Sequence, residues 1–366
     1  MKSLIIKVLL WIVIVNVFAF VALNRFNLNP DTSYKWITPD QFPSMQSFDF
    51  VNMHNRWDSY WYLDIIQNGY YLKQDNTLSN VVFFPLYPTL MKIVGTIFLG
   101  NFILAGWLIS SVSLVLACAF LYRIVCEFHP DVDPELPVLL MLVFPTAFFL
   151  NVVYTEALFL FLTTGCFYYT LKRKFWYAGF FALFGALTHS NGVFLALPIL
   201  WETVRLYEWK ALFTWRLLPV ALAPLGMAAF LVFDYVKFHD LMLFFKIESA
   251  WGRSFSINYD HFSLFSHPSI INMGIDIVFT ILIITAVVLV YHRLSRMYAV
   301  FMSLTVFAAL SSGTLMSIGR YSLVLFPLFI LLATIKNKTV LQAWIFGSAL
   351  FLAMDITLFV SNYWAG

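Results

Sequence analysis

Thr155-Glu156-Ala157-Leu158-Phe159-Leu160-Phe161-Leu162-Thr163-Thr164-Gly165-Cys166-Phe167-Tyr168-Tyr169-Thr170-Leu171-Lys172-Arg173-Lys174 reads as one crossing of a membrane whose two ends carry opposite charge. No charged residue stands between Glu156 and Lys172. Short loops that hold clustered Lys and Arg stay on the cytoplasmic side. The stretch therefore sets a helical membrane class and an orientation, with Glu156 outside and Lys172-Arg173-Lys174 inside.

The rest of the chain repeats the pattern. Of its 366 residues, 61% are hydrophobic and 11% charged, with 40 Phe and 12 Trp, whereas soluble domains carry about 25% charged residues. A soluble domain of this composition has no surface to show water. Apolar runs near the roughly 20 residues that cross a hydrocarbon core of about 30 Å recur from end to end. They fall at 4–23, 102–123, 136–151, 155–171, 175–188, 192–206, 216–237, 271–291, 297–312, 320–335 and 340–361, about eleven spans. With the N-terminus inside, cytoplasmic loops also receive Lys2, Lys7, Arg123, Arg205, Lys210, Arg216, Arg293, Arg296, Lys336 and Lys338. Segment 83–100, opening Phe83-Phe84-Pro85-Leu86-Tyr87-Pro88, would invert this topology if it crossed. Its two prolines and Lys92 suit an interfacial or re-entrant helix instead.

These features predict an all-α polytopic membrane protein made of a single domain, 1–366, with two longer outer loops at about 24–101 and 238–270 that contain interfacial helices. Lys2 and Lys7 precede the first apolar run without a small-x-small cleavage site before Asn24 and Arg25, so a retained helix is expected. A net charge of +3 spread over the chain argues against nucleic acid as a partner. Cys118, Cys126 and Cys166 show no Cys-x-x-Cys spacing and suggest neither a disulfide framework nor a zinc site.

On this topology the candidate functional residues gather outside. The first outer loop holds His54-Asn55-Arg56-Trp57-Asp58-Ser59-Tyr60-Trp61-Tyr62-Leu63-Asp64 and runs into an amphipathic helix. A helix from Ser59 sets Trp57, Trp61 and Tyr62 near one another, with Asp58 at its start. Such aromatics also suit an interfacial belt, and Asp58 an N-cap. As a carboxylate flanked by aromatics against the membrane, Asp58 is the candidate general base toward a hydroxyl. Glu156 gains from the helix dipole, yet an ionisable group at a membrane edge is a functional candidate by default. His189, in the turn Thr188-His189-Ser190-Asn191-Gly192, suits a phosphate or hydroxyl contact.

Glu248-Ser249-Ala250-Trp251-Gly252-Arg253 and Ser317-Ile318-Gly319-Arg320-Tyr321 each place an arginine after a glycine on the outer face. Boundary arginines also snorkel, but two guanidinium forks can grip a phosphate diester. Arg56, Trp57, Glu248, Trp251 and Tyr321 complete the donor-binding candidates. Asp131-Val132-Asp133 fits a metal-holding Asp-x-Asp pattern, but it lies among Pro130, Pro134 and Pro137 in a cytoplasmic loop and reads as solvated. Asp58, Glu156 and His189 are residue types that bind divalent metals, and nothing in their spacing requires one, so no cofactor is expected.

Taken together, Trp57-Asp58-Ser59-Tyr60-Trp61-Tyr62 with Gly69-Tyr70, Phe83-Phe84-Pro85-Leu86-Tyr87-Pro88, Phe144-Pro145-Thr146-Ala147-Phe148-Phe149 with Tyr154-Thr155-Glu156, Asn191-Gly192, Trp251-Gly252-Arg253, and Gly319-Arg320-Tyr321 with Phe326-Pro327 resemble the GPI mannosyltransferase II (PIG-V) family of the GT-C glycosyltransferase superfamily. They follow the family's order over nearly the whole chain. The resemblance implies a GT-C-like fold and an inverting transfer of mannose from a polyprenyl or dolichyl phosphate to a membrane glycolipid or glycan. It places the active site on the non-cytoplasmic face and makes Asp58 the acceptor-activating base. The sequence departs from the family's pattern at His189, where Arg is expected, and at Glu248, where Gln is expected. Its length is shorter than that of eukaryotic relatives, which points to a prokaryotic member in the plasma membrane. The rival reading, a transporter or lipid-linked sugar flippase, calls for broken helices, midplane charges or a repeat.

Overall fold

The structure, a computed structural model, describes residues 1–26, 50–73, 78–251, 253 and 270–365. The remaining parts of the two expected outer loops, including Gly252, lie outside the described residues. Among the described residues every regular element is helical. In chain order they are α1 (Lys2–Arg25), α2 (Asp58–Asn68), α3 (Leu86–Ile97), α4 (Phe102–Phe128) and α5 (Leu136–Leu142). Then come α6 (Glu156–Leu171), α7 (Phe175–Ala186), α8 (Ala196–Tyr207), α9 (Leu218–Phe238) and α10 (Leu243–Ala250). The last five are α11 (Ile270–Arg293), α12 (Arg296–Leu310), α13 (Ile318–Leu323), α14 (Pro327–Ala333) and α15 (Lys338–Val360).

Helices α1, α4, α9, α11 and α15 are long and apolar enough to cross a membrane, while α6, α7 and α12 are shorter apolar helices. This corrects the expected spans at three places, one being 192–206, which is a 3-10 turn, Ser190–Leu195, followed by the 12-residue α8. Residues 136–151 do not form one helix: α5 stops at Leu142, and after Phe144-Pro145 the chain resumes as a 3-10 turn, Ala147–Asn151. Residues 320–335 are likewise divided into α13 and α14, the latter starting on Pro327. Proline removes a helical N–H and pushes the residue before it out of the helical region, so an apolar run of spanning length is not always one helix. Segment 83–100 contains α3, which buries Tyr87, Pro88, Met91 and Gly95 and exposes Lys92 and Ile93.

The chain divides into two compact units that interleave along the sequence, which is why no boundary shows in it. The first comprises Met1–Tyr71, Tyr87–Leu158 and Leu332–Gly366; the second comprises Leu72–Leu86 and Phe159–Leu331.

In the first unit, α1 packs against α4 and α15. Buried Asn16, midway along α1, bonds the side chain of Asn151, which also meets Trp107 and Ser111 of α4. The ring of His54 pairs with the Asn16 amide. Buried polar groups cost little only when partnered, and here the partners come from several segments of the chain. A cavity of about 20 Å³ beside Asn16, His54 and Asn151 has room for about one water. Lys7 pairs with Glu135, so the amino end of α1 and the start of α5 share one side of this unit.

In the second unit, α7 and α9 approach backbone to backbone through glycines. A Cβ on Gly179 would stand 2.6 Å from the Pro219 carbonyl, and one on Gly226 would stand 2.6 Å from that of Leu183. Small residues allow such contact between apolar helices. Gly192 is tighter still, its absent Cβ falling 2.2 Å from the backbone of Gly185, which docks the His189 turn onto the end of α7.

Candidate functional site

Asp58 opens α2 and is preceded by Trp57 at φ 55° and ψ −113°. The helix therefore begins at Asp58 itself, and its carboxylate is not an N-cap. From Met53 to Ile66 every residue is buried except Asp58, which is half-buried. Its backbone N–H donates to the Tyr154 hydroxyl at 3.2 Å. The alternative of an interfacial belt does not hold for these aromatics: Trp57, Trp61 and Tyr62 are all buried, and Tyr62 meets Tyr87 edge-on at 5.1 Å. A buried frame thus leaves one carboxylate accessible.

Arg56 and Trp57, expected at the donor, are occupied with the protein itself. Arg56 is 1% exposed; its Nε and Nη2 donate to the Val360 carbonyl at 3.2 and 3.1 Å, and Nη1 donates to Asn52 and Asn55 carbonyls at 2.7 and 2.9 Å. Burial lowers its pKa, an effect Tyr60 opposes. Trp57 donates Nε1 to the Tyr363 carbonyl at 3.2 Å and packs edge-on against Trp364 at 5.5 Å. Both side chains hold the Asp58 turn.

Glu156 is buried at the start of α6, in the same unit. Two residues before it, Tyr154 accepts from Ser110 Oγ at its carbonyl (3.1 Å), and Ser110 in turn meets the Tyr87 hydroxyl at 2.8 Å. Tyr154 thus ties the carbonyl run before Glu156 to the amide of Asp58. Sequence reasoning passed over it; its one signal was its place in Tyr154-Thr155-Glu156.

The second unit brings three of the other candidates, Arg253, Arg320 and His189, around Tyr321. The guanidinium carbons of Arg253 and Arg320 lie 5.5 and 5.7 Å from its ring centroid, within cation–π range. The His189 ring stands edge-on to Tyr321 at 6.1 Å and stacks on Phe159 at 5.1 Å. Its Nδ1 accepts from the Asn191 amide at 3.2 Å, which leaves the proton of the neutral ring on Nε2. Enclosure, then the charges of Arg320 and Arg253, hold the His189 pKa down to about 3, so the ring is a neutral donor at physiological pH. The Arg253 amide donates to the Glu248 carbonyl at 3.0 Å. Burial raises the Glu248 pKa while Arg253 opposes the rise. Trp251 packs edge-on against Phe83 at 5.6 Å.

Two guanidinium forks and an uncharged N–H are groups able to receive an oxyanion. Among the described residues no group of three or more His, Cys, Asp or Glu is placed to hold a metal ion. Asp131 and Asp133 are exposed, and Asp133 accepts from the Glu135 amide at 3.0 Å.

Among solved structures, the chain is similar to the Archaeoglobus fulgidus oligosaccharyltransferase complexed with zinc and sulfate, at 13% identity and TM-score 0.45, covering 97% of this chain and 53% of that one. It is similar also to archaeal oligosaccharyltransferase AglB from Archaeoglobus fulgidus complexed with an inhibitory peptide and a dolichol-phosphate, at 12% identity and TM-score 0.48, covering 98% and 56%. The chain spans about half the length of these proteins. No curated protein matches it in sequence. The family model described as Mannosyltransferase (PIG-V) matches residues 3–238, a stretch that contains Asp58, Glu156 and His189 and ends before Arg253 and Arg320. With well over half of its residues matched, the chain belongs to the mannosyltransferase (PIG-V) family.

Proposed function

We propose that the protein is an inverting mannosyltransferase that uses a polyprenyl- or dolichyl-phosphate mannose donor and a membrane glycolipid or glycan acceptor. The observation that carries the donor is the grouping of Arg253, Arg320 and neutral His189 around Tyr321. A lipid-phosphate sugar is a phosphodiester with one negative charge. Two guanidiniums beside an uncharged imidazole offer positive charge and N–H donors to that anion.

Asp58 accepts the proton of the acceptor hydroxyl, whose oxygen attacks the anomeric carbon opposite the phosphate. The bond from that carbon to the phosphate oxygen breaks, and the phosphate leaves with the electron pair, held by Arg253, Arg320 and the Nε2–H of His189. Attack opposite the leaving group turns a β-linked donor into an α-glycoside. The chemistry belongs on the non-cytoplasmic face, with the N-terminus in the cytoplasm and, in a prokaryote, the plasma membrane as host. The helices broken at Pro145 and Pro327 are also what a transporter of lipid-linked sugar would have, so the test separates the two readings.

The test is mannose transfer by the purified protein in detergent, with polyprenyl-phosphate mannose as donor and a host lipid extract as acceptor, wild type beside Asp58→Asn. Transfer by wild type alone supports the reading. Donor binding without transfer by either protein, with sugar translocation in vesicles, would replace it with transport.

A further inference from the structure

The turn that presents Asp58 stands in a conformation its residues do not favour. Trp57 has φ 55° and ψ −113°, a region that bulky L-residues enter only when the surroundings over-determine it. Four contacts do so here. Arg56 Nε and Nη2 donate to the Val360 carbonyl, Trp57 Nε1 donates to the Tyr363 carbonyl, the Trp57 ring meets Trp364, and the Asp58 amide donates to Tyr154 Oη. Three of the four come from the end of α15, more than 300 residues along the chain.

That end has a defined geometry. Asn362 sits in the left-handed region at φ 66°, the Asn362 amide donates to the Phe359 carbonyl at 3.0 Å, and the Tyr363 amide donates to that of Leu358 at 2.8 Å. This pair of bonds is a Schellman closure. It reverses the chain and directs the Tyr363 carbonyl and the Trp364 ring at Trp57. Among the described residues the buried Oδ1 of Asn362 has no hydrogen-bond partner, so this residue serves the turn through its backbone, a conformation Asn and Gly tolerate and β-branched residues resist.

We infer that the closure at Val360–Trp364 is a strap that sets the position of the Asp58 carboxylate, with Arg56 and Tyr154 as positioning residues. The inference rests on the reading of Asp58 as the base. Arg56 acts here as a structural tie whose fork reaches three carbonyls at once, which a lysine could not do. The strap governs the placing of the base, which acts in the transfer step, so its loss is read in kcat and not in donor KM.

The experiment compares Asn362→Val, Asn362→Gly, Tyr154→Phe and Asp58→Asn in the mannose-transfer assay, with polyprenyl-phosphate mannose varied at fixed lipid extract. Asn362→Val lowers kcat about a hundredfold, the loss expected of a displacement of about 1 Å, with donor KM unchanged, whereas Asn362→Gly, which keeps the positive φ, restores wild-type kcat. Tyr154→Phe removes a single oxygen and leaves α15 intact, so it decides the matter if Asn362→Val does not accumulate as folded protein. A lowered kcat at unchanged donor KM supports the strap, and a wild-type kcat overturns it. Inactive Asp58→Asn beside fully active Asn362→Val overturns the strap alone; full transfer by Asp58→Asn removes the base and, with it, the strap's purpose.

Discussion

Arg253 and Arg320 share one aromatic ring, their guanidinium carbons 5.5 and 5.7 Å from the centroid of Tyr321. They arrive there from the end of α10 and from α13, some 67 residues apart by their numbering. An arginine whose guanidinium is already held beside a ring loses less freedom when it grips an anion.

Donor binding follows from this pair. Arg253→Ala and Arg320→Ala should each weaken binding of polyprenyl-phosphate mannose by roughly ten- to a hundredfold, as expected for a charge-assisted bond of about 1.5–3 kcal/mol. Titration of radiolabelled donor onto purified variants measures this. The double variant should lose less than the product of the two, because both groups serve one phosphate. Wild-type affinity in either single variant would remove that arginine from the donor site.

His189 yields a pH dependence with a definite sign. Its pKa is held at about 3 in the folded protein, against about 6.5 when unfolded. Between these values the unfolded chain binds a proton that the folded chain does not, so stability falls as pH drops from about 6.5 toward 3 and is fully present above that window. A His189→Gln variant should lose less melting temperature than wild type between pH 7 and pH 4. Parallel curves would show that the ring protonates freely.

Gly192 and Gly347 are opposites. A Cβ at position 192 meets the Gly185 backbone at 2.2 Å, whereas one at position 347 meets nothing within 4 Å. Gly192→Ala should cost roughly 1–3 kcal/mol as an overpacked site and weaken donor binding through the His189 turn. Gly347→Ala, within α15, should gain up to about 1 kcal/mol from helix propensity. Thermal unfolding in one detergent checks both.

Glu156→Gln keeps the shape of a buried side chain and deletes its charge. If that charge takes part in transfer, kcat should fall by about 10²-fold, the scale of an acid–base contribution, with donor KM unaltered. A role confined to the α6 dipole would instead show only as a stability loss of about 0.3–1 kcal/mol.

The membrane class was legible because a charge or proline in an apolar run stands out, and clustered lysines and arginines mark one side. The same contrast brought out Asp58, Glu156, Arg253 and Arg320. What the sequence hid is partnership. Arg56 reads as a donor-binding candidate, yet one of its carbonyl partners is Val360, and nothing local announces a contact 304 residues away. Trp57 reads as a donor-binding candidate, and its bond to the Tyr363 carbonyl was equally hidden. The breaks before Ala147 and Pro327 were masked by hydropathy, which counts side chains and ignores the missing amide of proline. Tyr154 gave no sign of its bond to Asp58 because a tyrosine in an aromatic-rich chain looks ordinary.

Asn16 bears on how the chain is made. It enters the bilayer with the first helix, well before Asn151 is synthesised, and at that stage its amide can reach only the Ile12 carbonyl of its own helix, at 2.7 Å. The partners His54 and Asn151 emerge later. Until the fourth helix and the turn after the fifth have been threaded, α1 carries a half-satisfied polar group in hydrocarbon and has reason to stay loosely associated. The full set of bonds to that one amide therefore exists only once residue 151 is in place.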